Sequence, residues 1–315
     1  MLKSPRRFLA FVGRHAARAY AASIFIGLAL PQLAAALRPF IPVSIFIFIL
    51  LSFARAHLPG LQIVVQKPLR LVMAVILSLI VPPIIGWGVL QLPVIVALDP
   101  GIRLAIALMA AAPPLMASPV YAALLGFENS FALTTLVLGM VITPLSAPTL
   151  ASLLAGAAVP ISPYALAERL ALFVGLGMLA GLALRRIAGV ARLESVKQEL
   201  DGLGVAMFFL FAIAAMDGVI DATLENPLLI LLMLALSTGI AALNFAASYA
   251  LLRHYGFNDR FSVSIGISLR NMGLLVAPII AIIPKTTFLY FALAQVPVYV
   301  APVILKALKT KLEPE

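Results

Sequence analysis

Cysteine is absent from all 315 residues, which excludes disulfides, thiolate metal sites and cysteine nucleophiles. Charge is scarce as well. Only 11% of residues are charged and 63% are hydrophobic, whereas ordinary globular domains hold about 25% charged and 45 to 50% apolar residues. With a mean hydropathy of +1.13, the chain reads as a polytopic membrane protein. The three histidines, His15, His57 and His254, fall in or beside polar flanks and form no metal-binding pattern. There is no His/Glu metal motif, no Ser/His/Asp set at membrane depth and no glycine-rich phosphate loop. An enzyme or an ATP-driven pump therefore lacks its parts, and neither a cofactor nor a metal is expected. The net charge of +10 does not signal nucleic acid, because the basic residues sit at the ends of apolar segments and form no single patch.

What the chain does have is apolar runs of membrane-spanning length. A helical crossing needs about 20 residues, and on that ruler spans are expected near Ala16 to Leu37, Phe40 to Ala54, Pro68 to Leu90, Gly101 to Leu125, and Ser130 to Leu154. After a short outer loop at 158–163 come Tyr164 to Leu184, Leu203 to Val219, Pro227 to Leu252, Arg260 to Ile283, and Thr286 to Leu308. That makes ten, divided by the polar connection Arg185 to Gly202 into two halves of five. The expected organisation is a lead at 1–15, a first repeat at 16–157, the outer loop, a second repeat at 164–308, and a tail at 309–315. With the N-terminus inside, seventeen Lys and Arg fall on the inner side and four, Arg38, Arg103, Arg169 and Lys285, on the outer. That bias puts both termini in the cytoplasm. Asp217, Asp221 and Glu225 cluster at the outer end of the seventh span, as a solvated loop or, for Asp217, as part of a vestibule.

An odd number of spans per half inverts the second half relative to the first, as in many secondary transporters. The fourth members of the halves then correspond, and both are interrupted. Residues 101–126 carry Pro113, Pro114 and Pro119 inside an apolar run, and proline removes an amide donor and clashes with the preceding turn. Residues 261–278, FSVSIGISLRNMGLLVAP, carry Ser268, Arg270, Asn271 and Gly273. A guanidinium at the bilayer centre costs roughly 3 kcal/mol on insertion scales, so it faces protein or water and is a functional candidate by default. Broken helices at matching positions mark a midplane binding site. Kinks in two lipid-facing helices are the plainer alternative.

The runs AAPPLMASPVYAALLGFENSFALTT, TPLSAP and NDRFSVSIGISLRNMGLL resemble the bile acid/sodium symporter family. The resemblance implies an all-helical fold with a panel domain and a core domain, the broken fourth and ninth helices crossing in the core, in a bacterial inner membrane. Ala117, Ser118, Asn271 and Gly273 match the family's motifs. The departures fall on its sodium ligands: its Asn stands at Pro119, its shared Glu at Gly266, its ninth-span Gln at Arg270 and its third-span Gln near Leu77 or Ser78. Thr134 and Thr135 lie close to the family's sodium-binding hydroxyls. A permanent cation at Arg270 stands about where the family binds sodium, and like charges repel strongly at low dielectric. The resemblance thus implies a carrier of a small organic anion, without sodium coupling. Arg270 holds the substrate anion, replaces the ion, or caps half-helix carbonyls. A sodium-coupled carrier with remodelled ion sites and a non-transporting receptor are the competing readings.

The expected substrate-facing set is Arg270, Asn271, Ser268, Pro113, Pro114, Ser118, Thr134, Thr135, Asn244 and Gln295. Asn244 and Ser248 share a face of the eighth span, where packing between helices is the alternative. Gly175, Gly177 and Gly181 are expected to allow close helix packing.

Overall fold

The computed structural model describes residues 16–55, 68–127, 130–156 and 162–313. The basic lead at 1–15, His57, Lys67 and most of the 158–163 loop lie outside them. Among the described residues the regular structure is helical, and proline sets much of its punctuation. In chain order the helices are α1 Ala16–Ala29, α2 Pro31–Leu37, α3 Ile41–Arg55, α4 Pro68–Leu90, α5 Pro93–Val96, α6 Pro100–Ala111, α7 Ser118–Leu124, α8 Ser130–Ala155 and α9 Pro163–Ala188. They continue with α10 Val190–Ser195, α11 Lys197–Ala215, α12 Val219–Glu225, α13 Pro227–Leu251, α14 Phe257–Ser268, α15 Met272–Val276, α16 Lys285–Leu293 and α17 Gln295–Leu312. Six of them begin on proline, at the position where its missing N–H has no intrahelical partner to lose and its fixed φ suits the helix.

By length and composition, seven helical stretches among the described residues can cross a membrane: 31–54, 68–90, 131–155, 163–188, 197–225, 227–251 and 285–312. The protein is an all-α integral membrane protein. Two boundaries differ from the sequence expectation. The break between the first two spans falls at Leu30 (φ −124°, ψ 69°) and not at Arg38–Pro39. Pro31 drives its predecessor out of the helical region, whereas Pro39 lies in the first turn of a 3-10 segment, 38–40, that leads straight into α3. The seventh span runs to Glu225 through a break at 216–218, where Met216 caps the end of α11 and Gly218, at φ +72°, takes the left-handed conformation that favours glycine at the start of α12. The polar connection 185–202 is itself mostly helical, interrupted at Gly189 (φ +79°).

The chain divides into two compact units. The first comprises Met1–Arg55 and Phe173–Ile230, and in it α11 packs against α1, α2 and α3. Phe48 meets Phe208 with ring centroids 4.8 Å apart. Gly177 lets Ile49 approach within 2.7 Å of where its Cβ would stand, and Gly181 packs on the Leu50 carbonyl and Phe53. Gly175 touches nothing within 4 Å and takes no part in that packing. Arg38 pairs with Asp217 at 2.9 Å, so Asp217 is an ion-pair partner at the α11–α12 break.

The second unit, Ala56–Leu172 and Leu231–Glu315, contains both interrupted helices. Here α4, α6 and α8 pack on one another, α16 lies on α6, and α14 lies on α4, α7 and α8. Leu71, Ala74, Val81, Phe131, Leu252, Val263 and Ile267 form a buried cluster. Polar fasteners join distant stretches. Asp99 accepts hydrogen bonds from the Gly101 N–H (2.8 Å) and the Thr286 hydroxyl, and Thr287 donates to the Gly101 carbonyl at 2.7 Å. Tyr121 donates to the Val298 carbonyl at 2.9 Å. Lys309 donates to the Leu125 carbonyl at 2.9 Å, at the C-terminal end of α7, while its ammonium lies 4.9 Å from the Phe127 ring centre.

Candidate functional site

The two interruptions meet in the second unit. Pro113 forces Ala112 into an extended conformation (φ −64°, ψ 154°), so α6 stops there. On the other strand of the crossing α14 stops at Ser268, and Leu269 is extended (φ −100°, ψ 113°). Pro114 and Arg270 form an antiparallel bridge. The Asn271 N–H donates to the Pro113 carbonyl at 2.9 Å, and the Leu115 N–H donates to the Leu269 carbonyl at 2.9 Å. Backbone groups that two continuous helices would satisfy internally are thus satisfied across the crossing, as burial requires.

Arg270 is 7% exposed. Its guanidinium donates to the Ser78 hydroxyl on α4 at 3.1 Å and to the Ala112 carbonyl at the end of α6. The C-terminal end of a helix carries a partial negative charge of roughly half an electron, which favours a cation placed on it. Part of the cost of burying the guanidinium is offset in this way. Its Nε has no partner.

The other expected residues fall into three places. Pro113, Pro114, Ser268 and Asn271 stand at the crossing with Arg270. The Ser268 hydroxyl donates to the Ile265 carbonyl of its own helix at 2.9 Å, and Asn271 keeps a buried Nδ2 with no partner. Pro114, Ser118 and Thr135 line a small cavity with Ala132, Ser262, Val263, Gly266 and Ile267. Its water-sized space is about 10 Å³, room for one water molecule. Thr134 is half-buried and not among the lining residues. Asn244 and Gln295 do not line this cavity. Gln295 donates to the Phe291 carbonyl at 2.9 Å, while Asn244 is fully buried with both amide atoms unpartnered.

Sequence reasoning missed Ala112 and Ser262 and left Ser78 as one of two positions. Ser262 stands one helical turn before Gly266, the i, i+4 relation that puts both on one face, and that spacing was the available signal. Ser78 and Ala112 lie 192 and 158 residues from Arg270 in the chain, and no local pattern announces such partners.

The donor set does not suit sodium. The cavity offers the neutral hydroxyls of Ser118, Thr135 and Ser262, and no carboxylate stands among its lining residues. Gly266 contributes no side chain, and an added Cβ there would already stand 3.4 Å from the Ser118 hydroxyl. No cluster of three His, Asp or Glu occurs among the described residues. What the crossing does offer is a fixed positive charge with adjacent amide and hydroxyl donors, a combination that attracts an anion.

The sequence model described as Sodium Bile acid symporter family matches residues 42–226, more than half of the chain. No curated protein matches the chain.

Proposed function

Because the chain belongs to the sodium bile acid symporter family, whose members are transporters, we propose that it carries a small organic anion across the membrane by alternating access and without sodium. The observation that carries this reading is Arg270, a buried cation held by the Ala112 carbonyl and the Ser78 hydroxyl where the two interrupted helices cross. In a region with no balancing carboxylate among its described residues, this charge repels a second cation and favours an anion. Arg270, Asn271 and Asn244 keep buried polar atoms without partners. We assign the polar contacts at the crossing to Arg270 and Asn271, a lining role there and in the cavity to Ser268, Pro113, Pro114, Ser118 and Thr135, and further positions along the substrate's path, outside the cavity, to Asn244, Thr134 and Gln295.

The same reading takes the chain as ten crossings in two inverted halves, with both termini cytoplasmic. It is supported by the reciprocal pairing of 113 with 271 and 115 with 269, the relation two inverted copies of one interrupted helix would produce, and by the seventeen-to-four distribution of Lys and Arg.

The test is uptake of labelled organic anions into proteoliposomes with sodium replaced by choline. Equal uptake in both salts is expected. Concentrative uptake that collapses in choline and returns with sodium would show that the ion sites survive in another form.

A further inference from the structure

Resting on the anion-carrier reading, we infer that Arg270 makes the protein an exchanger of monovalent organic anions and not an accumulator driven by a sodium or pH gradient. The positive charge in the crossing is tethered to the chain, and two of its three nitrogens are held by Ser78 and Ala112. A guanidinium keeps its proton under all physiological conditions. Coupling transport to a sodium or pH gradient requires a free ion or proton that binds from one side, leaves on the other, and binds the two states of the carrier differently. A tethered charge has no bulk concentration and transmits no such gradient.

The surroundings offer no substitute. The ionisable groups on the described helices that pack on the two arms of the crossing are Arg70, Arg103, Tyr121, Tyr249, Asp259, Arg260 and Tyr290, with Asp99 capping α6 and Lys285 opening α16. Asp99 and Asp259 are the acids among them. Asp259 lies in the first turn of α14, roughly 14 Å of helix from Ser268, and Asp99 lies at the far end of α6, roughly 20 Å of helix from Ala112, committed to the Gly101 N–H and the Thr286 hydroxyl. Tyr290 is committed to Met109 and Tyr121 to the Val298 carbonyl. Among the described residues a proton therefore has no acceptor at the crossing through which a pH gradient could act.

Charge balance then sets the mode. With a monovalent anion bound the site is neutral, and empty it carries one positive charge. Where the site crosses part of the membrane field, the empty return moves that charge, whereas swapping one anion for another moves none. An elementary charge taken through a full 100 mV shifts an equilibrium by about 50-fold, the upper bound for this effect. An inside-negative potential holds the empty site facing inward and leaves exchange untouched.

Proteoliposomes containing the full-length protein and preloaded with labelled taurocholate, or in parallel with aliphatic and aromatic monocarboxylates, test this. Efflux should rise several-fold when the same unlabelled anion is added outside, with no response to sodium or pH gradients. An imposed potassium diffusion potential should alter net flux and leave exchange unchanged. Arg270→Lys should keep this pattern, and Arg270→Gln should abolish the potential dependence of net flux. Accumulation driven by a sodium or pH gradient, or a potential dependence of net flux that survives in Arg270→Gln, overturns the inference while leaving the carrier reading intact. Absence of saturable flux for every anion overturns both. If Arg270→Gln does not fold, the wild-type comparison of exchange with net flux decides by itself.

Discussion

At the scale of single residues, two buried polar groups make opposite predictions. Ser78 accepts a hydrogen bond from a charged donor inside the membrane unit, and hydrogen bonds to charged groups contribute about 1.5–3 kcal/mol. Ser78→Ala should therefore lower stability by about that amount, read as a fall in melting temperature of the detergent-purified protein. Asn244 is buried with neither amide atom bonded, and an unsatisfied buried group costs about 1–3 kcal/mol. Asn244→Leu, of similar size, should leave the melting temperature unchanged or raise it, while weakening organic-anion binding. A fall in stability without loss of binding would place Asn244 in packing and remove it from the substrate-facing set.

At the scale of elements, glycines report where helices touch. An added Cβ at Gly139 on α8 would lie 2.8 Å from the Pro114 ring, and that ring cannot swing aside as a flexible chain would. Gly139→Ala should cost about 1–3 kcal/mol, the usual penalty for overpacking. Gly175→Ala meets nothing and should stabilise α9 by roughly 0.5–1 kcal/mol through helix propensity. Thermal unfolding of the two variants side by side checks both. The breaks themselves were legible in the sequence, because Pro113, Pro114 and the SLRNMG run carry local backbone rules that survive any packing. The end of the first span was not. Arg38–Pro39 has the composition of a turn, yet proline is harmless in the first turn of a helix, and the tighter constraint lay on Leu30. The extension of α11 into α12 was hidden for a related reason, since Met216, Asp217 and Gly218 look like a terminus when they only interrupt. At the site, the cation was legible from its cost in a membrane. Its partners were not, because they are set by three-dimensional proximity alone.

At the scale of the whole molecule, the absence of cysteine gives a clean test of orientation. Single cysteines placed at Lys3 and Glu313 should react with impermeant maleimides only from the cytoplasmic side, and labelling of either from outside would overturn the ten-crossing map. The lysine near the end of α17 has a practical bearing on how this protein is handled. Read as sequence, Lys309 to Glu315 is a charged tail of the kind trimmed before purification or replaced by a tag. In the fold, Lys309 closes the open carbonyl end of α7 and sits against Phe127, so truncation after Lys306 would unfasten one arm of the crossing from 184 residues away in the chain. Affinity handles and fluorescent fusions therefore belong beyond Glu313, on a spacer, where the last turn can still close.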